Sequence, residues 1–140
     1  MDFEIHQVDW NTHRDSLYAV RHEVFIVGQN IPEEVEVDGA DESCIHFLAS
    51  DADGNPIGTS RVLADGHIGR VAVLSQWQGR GVGRALMLAS IEKVVEFGLP
   101  QALLDSQITA AEFYQKLGFE RYGEEFLECG IPHIAMRKHL

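Results

Sequence analysis

The fold is decided by the stretch Gln78-Gly79-Arg80-Gly81-Val82-Gly83-Arg84-Ala85-Leu86, which joins a predicted strand to a long apolar helix. Its three glycines stand at alternate positions, where the backbone can turn sharply and bring several N–H groups close to an anion. The helix that follows presents the positive end of its dipole to the same point. The stretch therefore predicts a site for a phosphorylated cofactor.

Three other interpretations of the glycine-rich stretch have to be weighed against a site for a phosphorylated cofactor. A dinucleotide-binding G-x-G-x-x-G motif needs a third glycine where this chain has Arg84, and it opens the first strand-helix unit of a domain. A Walker loop needs Gly-Lys-Ser or Gly-Lys-Thr, which the chain lacks. A glycine-rich turn without any ligand stays open as the alternative.

Composition predicts one domain over residues 1–140. The chain is 45% hydrophobic and 24% charged, and its formal net charge is -11 at pH 7. Because nucleic-acid binding draws on clustered Lys and Arg, this balance argues against nucleic acid and favours a cationic partner. The charge fits equally well a protein that it merely keeps in solution.

No targeting or membrane segment is predicted. Residues 1–5 have neither a basic nor an apolar region, and no later segment has the roughly 18 uninterrupted apolar residues needed to span a bilayer. We therefore expect a cytoplasmic protein that does not bind membranes. The seven histidines and two cysteines show no metal-binding spacing, so we expect no metal.

Hydrophobic patterning predicts the order strand, helix, three strands, helix, strand, helix and two strands. This order is typical of an α/β domain with a mixed, mostly antiparallel sheet flanked by helices. The strands are expected over residues 3–8, 45–50, 57–63, 67–74, 102–104, 119–129 and 131–137. The apolar phase of the fourth strand changes after Ile68, which indicates a bulge. Asn11 or Thr12 is expected to cap the first helix, and Thr109 with Glu112 to form a capping box on the last.

Residues 28–43 have no clear periodicity and are expected to form a long acidic loop that contains at most a short helix. The acids are Glu33, Glu34, Glu36, Asp38, Asp41 and Glu42. Such a loop either attracts a cationic amine or is simply solvated, and the sequence leaves both open.

Two motifs together resemble the GNAT superfamily of acyl-CoA-dependent N-acyltransferases. They are Gln78-x-x-Gly81-x-Gly83 after a strand that ends in Val71-Ala72-Val73, and the run AAEFYQKLGF over residues 110–119. The similarity covers nearly the whole chain and is nearest to the ElaA-like branch. Further matching positions include Arg21, Val24, Phe25, Gln29, Glu36, Asp38, Asp41, His46, Gly58, Arg61, Arg70, Ser106, Gln107, Gly130, Ile131, Pro132, His133 and Met136. The match departs at Gly28, where Glu is expected.

The resemblance implies a GNAT-like fold in which a central strand pair splays apart to admit acetyl-CoA as cosubstrate. The backbone of Val71, Ala72 and Val73 would bind the pantetheine arm and polarise the thioester. Gln78 and the following residues would hold the pyrophosphate. These are Gly79, Arg80, Gly81, Val82, Gly83 and Arg84.

The resemblance also places Tyr114 near the departing sulfur, as general acid, although an aromatic residue at this helical spacing is equally typical of a core. The general base is open among His133, Glu128, Glu36 and His46. His133 is preferred because imidazole titrates near neutral pH and Gly130-Ile131-Pro132 restrains its backbone.

The expected acceptor is an amine-bearing small molecule or peptide. It would be contacted by Arg21, Gln29, Glu36, Asp38, His46, Arg61 and Gln107. The arginines, with Arg70, either pair with the acids of the loop or bind an acidic part of the substrate. The sequence thus favours an N-acetyltransferase that works by direct attack in a ternary complex. The alternative is a catalytically silent acyl-CoA-binding or regulatory module, and the last two strands would support a homodimer.

Overall fold

The computed structural model describes residues 2–140 and contains the helices and strands in the predicted order. The strands are β1 (Phe3–Val8), β2 (Ile45–Asp51), β3 (Pro56–Val62), β4 (Ile68–Val73), β5 (Gln101–Gln107), β6 (Glu120–Glu128) and β7 (Ile131–His139). The α-helices are α1 (Trp10–Arg21), α2 (Glu33–Glu36), α3 (Val82–Glu96) and α4 (Ala111–Gln115). A π-helical turn, His22–Val27, continues α1, and 3-10 turns occur at Asp41–Ser43, Ser75–Trp77 and Ile108–Ala110.

The strands form two antiparallel sheets that touch at one end. The first sheet has the order β1-β2-β3-β4 and the second has the order β5-β7-β6. A parallel bridge between His67 and Leu103 joins them, and Leu103 N donates to Gly66 O at 3.0 Å. Beyond that bridge β4 and β5 are not paired within residues 2–140. The predicted mixed, mostly antiparallel sheet with a splayed central pair is confirmed.

The predicted bulge in β4 lies at Arg70. Thr59 pairs with Ala72 and Arg61 pairs with Gly69, so two residues of β4, Arg70 and Val71, oppose one of β3. Arg70 has φ 49°, in the left-handed region that a side chain makes unfavourable. The Thr59 hydroxyl donates to Arg70 O at 2.9 Å and holds this conformation.

The core lies between α3 and the first sheet. Val82, Leu86 and Met87 of α3 are fully buried, each at 1% exposure or less, which stabilises the fold by about 1.5–3 kcal/mol per side chain. Gly58 allows this close contact, because a Cβ there would lie 3.0 Å from side-chain atoms of Val82 and Leu86. The buried hydroxyls of Ser60 and Ser90 satisfy one another at 2.8 Å.

Two predicted helix caps are wrong. The cap of α1 is Asp9, whose carboxylate accepts from Thr12 N at 3.0 Å, because α1 begins at Trp10, before both expected caps. The capping box at Thr109 does not form. Strand β5 extends to Gln107, so Thr109 falls inside a 3-10 turn, and α4 follows Ala110 without a side-chain cap. Within residues 2–140 no helix is both long and apolar enough to cross a membrane.

Candidate active site

A cavity of about 480 Å³ opens where β4 and β5 diverge. Its wall takes Val71 from β4, Gln107 from β5, Tyr114 from α4, His133 from β7 and Glu128 from the end of β6. The acidic loop contributes further residues on the opposite side. Elements from the whole chain therefore converge on a single space between the two sheets.

The glycine stretch forms an uncapped helix start near this cavity. Gly79 and Gly81 have φ of 76° and 87°, values that side chains rarely adopt. Gly81 is the N-cap of α3 and offers no side chain to the first free N–H groups of the helix. Arg80 and Arg84 are exposed, and the Arg80 guanidinium lies 5.0 Å from the Trp77 ring centroid. These free donors and nearby positive charges fit a pyrophosphate.

The backbone N–H and C=O groups of β4 point alternately toward β3 and toward the gap between β4 and β5. Leu74 N donates to Ile57 O at 2.9 Å. Because polar groups alternate along an antiparallel ladder, those of Ala72 also face β3, whereas those of Val73 face the gap. Gln78 Nε2 reaches Val73 O at 3.5 Å. The register thus directs Val73 toward a ligand in the gap and engages Ala72 within the sheet.

Tyr114 stands on the cavity wall in an aromatic setting. Its ring lies 5.0 Å from that of Phe113 and 6.2 Å from that of Phe119, both edge-to-face. Burial raises the pKa of Tyr114 to about 12. The phenol therefore stays protonated at neutral pH and can act as a hydrogen-bond or proton donor.

His133 occupies the centre of the second sheet, opposite Gln107 on β5 and Phe126 on β6. Its Nδ1 lies 2.7 Å from Ile131 O, and since a carbonyl only accepts, Nδ1 carries the proton. The Nε2 atom of the neutral ring is then free to accept one. Glu128 Oε2 lies 3.9 Å from Nε2, and Phe126 stacks on the ring with centroids 5.7 Å apart.

Beside the cavity, a buried network joins three arginines to three acids of the loop. Arg21 donates through Nε to Glu36 Oε1 and through Nη1 to Asp41 Oδ1. Arg61 donates to the same Asp41 oxygen at 2.9 Å and to Asp38 Oδ2 at 2.6 Å. The third arginine is Arg70. Formal charges in this network cancel, and its three acids anchor the loop, whereas Glu33, Glu34 and Glu42 of the same loop are exposed.

The network lowers the pKa of two of its acids, Asp38 and Asp41. The hydrogen bond from Arg61 holds the pKa of Asp38 well below its ordinary value. Burial alone would raise the pKa of Asp41, but hydrogen bonds and charges from Arg21 and Arg61 outweigh it and lower the pKa. Asp38 and Asp41 therefore stay available as anions that tie the loop to α1 and β3.

His46 belongs to the support of this network. Its ring stacks on Trp10 with centroids 5.1 Å apart, and its Nε2 lies 2.8 Å from Asp41 O. The ring is 1% exposed, and burial lowers the pKa of His46 from 6.5. His46 is therefore neutral and donates to the loop backbone.

The structure brings together only some of the residues predicted to contact an acceptor. Gln29, Glu36, Arg61 and Gln107 line the cavity with Tyr114, His133 and Glu128. Gln29 and Gln107 exchange two amide hydrogen bonds, of 3.3 and 2.9 Å, across it. Arg21, Asp38 and His46 do not reach the wall, because their polar groups are engaged within the network.

Sequence reasoning matched Val24 and Phe25 to the family but did not assign them to the cavity. The π-helical turn places Val24 and Phe25 on the cavity, and a Cβ at Gly28 would lie only 2.6 Å from Val24 O. The signal was the apolar run over residues 24–27, which breaks helical periodicity. Such turns are frequent at functional sites. Within residues 2–140 no three His, Cys, Asp or Glu side chains are grouped to hold a metal ion.

Comparison with known proteins agrees with this geometry. Residues 14–140 match the family model described as an acetyltransferase (GNAT) domain. YjcF of Bacillus subtilis, described as an uncharacterized N-acetyltransferase, is 36% identical over 129 residues, which are 89% of this chain and 91% of YjcF. Escherichia coli ElaA has a TM-score of 0.86 and 29% identity, over 97% of this chain and 99% of ElaA. An acyl-CoA N-acyltransferase from Pseudomonas aeruginosa has a TM-score of 0.84 and 31% identity over 98% of both chains.

The chain belongs to the GNAT superfamily of acyltransferases. This membership supports acyl-CoA N-acyltransferase activity with an acyl-CoA as cosubstrate. Within the superfamily, the likeness to ElaA puts the chain in the ElaA-like branch, as the sequence motifs predicted.

Proposed function

We propose that this protein is an N-acetyltransferase that moves an acetyl group from acetyl-CoA to a primary amine by direct attack in a ternary complex. One observation carries the proposal. A single cavity between the splayed strands is lined by Val71, next to the β4 bulge, by a protonated phenol at Tyr114 and by an imidazole at His133. An acyl donor and an amine can meet there between an acid and a base.

The donor would be held mainly by backbone. Free N–H groups at the start of α3 suit the pyrophosphate, and the gap-facing groups of Val73 suit an amide of the pantetheine arm. An N–H of the bulge beside Val71 would polarise the thioester carbonyl and stabilise its oxyanion. Pantetheine then completes β4 as an added strand would.

His133 and Tyr114 would handle the protons. An alkyl amine is mostly protonated at neutral pH, so it must lose a proton before it attacks. His133 Nε2 accepts that proton, and Glu128 stabilises the imidazolium. As the C–N bond forms and the C–S bond breaks, Tyr114 protonates the leaving thiolate, and the second proton, which the nitrogen releases as it becomes an amide, returns to the Tyr114 phenolate directly or through water.

The acceptor would contact Gln29, Glu36, Arg61 and Gln107, the predicted substrate residues that line the cavity. Arg21, Asp38 and His46 would not contact the acceptor. They would position the loop that carries Glu36. The buried Oε2 of Glu36 has no hydrogen-bond partner within residues 2–140. This makes Glu36 the carboxylate best placed to favour a cationic amine.

Steady-state kinetics with acetyl-CoA and a panel of amines, polyamines, aminoglycosides and peptides tests the proposal. We expect intersecting initial-rate lines, since direct attack requires both substrates bound at once. Tight acetyl-CoA binding without turnover on any acceptor would favour the silent binding module instead.

Cys129 provides a control for the order of steps, because its thiol lines the same cavity and is exposed. Direct attack predicts that Cys129→Ser retains near wild-type kcat. Parallel initial-rate lines, together with loss of turnover in Cys129→Ser, would instead indicate an acetyl-cysteine intermediate.

A further inference from the structure

The three arginines of the buried network differ in how fully they are paired. The side chain of Arg21 is 1% exposed and that of Arg61 is 6% exposed, and each bonds two carboxylates. The side chain of Arg70 is 24% exposed, and the residue lines the cavity. The sequence left open whether these arginines pair with the loop or bind an acidic substrate group, and the structure separates them.

Arg70 donates most of its hydrogen bonds to backbone carbonyl groups. Nε and Nη2 donate to Glu36 O at 3.3 and 3.0 Å, and Nη2 also reaches Val35 O at 3.4 Å. Its one carboxylate bond, to Asp38 at 3.3 Å, is shared with Arg61, which binds the same oxygen at 2.6 Å. Its Nε also lies 3.7 Å from Glu36 Oε1, which Arg21 binds, so Arg70 shares both of its carboxylate neighbours with another arginine.

One nitrogen of Arg70 is free. Nη1 makes no hydrogen bond within residues 2–140, and it is not among their buried atoms that lack a partner. The guanidinium therefore keeps accessible donors on a residue of the cavity wall. A guanidinium donor forms charge-assisted hydrogen bonds with carboxylates and phosphates, and the carboxylate is the smaller of these two groups.

The surroundings of Arg70 also leave its charge incompletely balanced. Burial and the neighbouring charge of Arg61 lower the pKa of Arg70, despite the opposing effect of Asp38. An additional anion at Arg70 would relieve both effects.

The backbone holds Arg70 beside the reacting groups. Arg70 immediately precedes Val71, and its left-handed φ is locked by the bond from Thr59. A non-glycine residue in this conformation costs of order 1–3 kcal/mol, and such residues cluster at functional sites. An anion on Arg70 would thus lie in the same cavity as the residues proposed to hold the thioester.

We infer that Arg70 binds a carboxylate of the acceptor, which makes the acceptor an amino acid or another amine with a carboxylate a few bonds from its nitrogen. This inference rests on the proposed function. The amine would lie toward His133 and the carboxylate toward Arg70, so the substrate is a zwitterion. A zwitterion suits a cavity wall that carries both acids and arginines.

Paired acceptors test this directly. L-Leucine, L-phenylalanine, L-lysine and L-glutamate are compared with their α-carboxamides and with the amines left after α-decarboxylation. We expect at least one acid to be acetylated with a kcat/KM about 10- to 100-fold above its amide, the range for a hydrogen bond to a charged group. Equal rates for every acid and its amide would overturn the inference while leaving the N-acetyltransferase proposal intact.

Arg70→Gln then separates binding from positioning. If Arg70 binds the carboxylate, the variant loses about 10- to 100-fold on the acid, mainly in KM, and little on the amide. Equal losses on both acceptors would mean that Arg70 only ties down the loop, which contradicts the inference. Arg70→Lys, which keeps the charge without the fork, should fall between. Arg121→Gln, an exposed arginine on β6, is the charge-matched control, and thermal unfolding checks that each variant folds.

A binding measurement keeps the inference testable if no acceptor turns over. Calorimetry with CoA-loaded protein should show tighter binding of at least one of these amino acids than of its carboxamide, and Arg70→Gln should abolish the difference. Carboxylate-dependent binding without turnover would refute the proposed function but support a carboxylate site. Binding of neither ligand would refute the site.

Discussion

One side of the cavity is formed mainly by backbone groups and the other mainly by charged side chains. On the donor side, the glycine stretch and β4 offer backbone N–H groups whose positions follow from φ angles and strand register. On the acceptor side, side chains from α1, the acidic loop, β3 and β4 hold one another through ion pairs. A backbone site changes little when side chains change, whereas a network of buried charges depends on every member.

This contrast predicts that substitutions on the acceptor side cost mostly stability and that substitutions on the donor side cost mostly ligand affinity. In the proposed function the donor side would bind a group common to all acyl-CoA molecules, which backbone alone can recognise. The acceptor side would distinguish one amine from another, and such specificity requires side chains.

Arg21→Met should produce the largest loss of stability. It leaves Glu36 and Asp41 buried without their shared cation, which costs about 3–5 kcal/mol of unfolding free energy. Chemical denaturation measures the loss, with Arg121→Met as the exposed control, expected within about 0.5 kcal/mol. A loss below 1 kcal/mol would mean that the acceptor side does not depend on its charges.

His133→Ala should affect chemistry without affecting donor affinity. We expect kcat to fall about 10²- to 10³-fold and the acid limb of the pH-rate profile to disappear, because no base remains to take the amine proton. Calorimetric acetyl-CoA affinity should stay within about threefold of wild type. An unchanged profile would exclude His133 as the base and leave Glu128 as the nearest candidate.

Tyr114→Phe should lower kcat by about 10²-fold, at the low end of acid catalysis, since a thiolate leaves tolerably well without help. The aromatic contacts with Phe113 and Phe119 survive this change, so stability should be retained. Full kcat would assign Tyr114 to packing alone.

Gly83→Asp and Gly83→Ala test whether the backbone of the donor side lies close to bound CoA. A Cβ at Gly83 would make an ordinary 3.5 Å contact with Phe113, so the alanine variant should fold at least as stably as wild type. If the backbone here approaches CoA closely, Gly83→Asp should weaken CoA binding about 10- to 100-fold through charge and bulk. Calorimetry that finds unchanged affinity in both variants would remove this stretch from the site.

His46 gives the smallest effect, a pH dependence of stability. Burial lowers the pKa of His46 below 6.5, so the unfolded chain takes up this proton more readily than the folded one. The free energy of unfolding is therefore highest above pH 6.5, where His46 is neutral in both states, and it decreases as the pH falls below 6.5. The decrease from this one group is at most about 1.4 kcal/mol per pH unit. Denaturation of His46→Phe across this window should show a shallower slope, and identical slopes would contradict the assignment.

The same contrast explains what could be predicted from sequence. Element order and the β4 bulge followed from apolar periodicity and from turn residues, because these signals are local, whereas the splayed pair was implied by the resemblance to the GNAT superfamily. The sequence offered pairing of the arginines with the loop acids as one alternative, but the particular partners of Arg21 were not predictable, because periodicity does not say which charges meet across 15 and 20 positions. Sequence alone also gave no sign that Arg21, Asp38 and His46 stand behind the cavity wall.

Gly28 carries a consequence for relatives of this protein. A Cβ there would lie 2.6 Å from Val24 O, so a side chain at this position would require the turn that forms one cavity wall to shift. With glutamate here, as the branch pattern led us to expect, the turn would have to move away from residue 28. We therefore expect the residue at position 28 to affect the shape of the cavity wall that Val24 and Phe25 form.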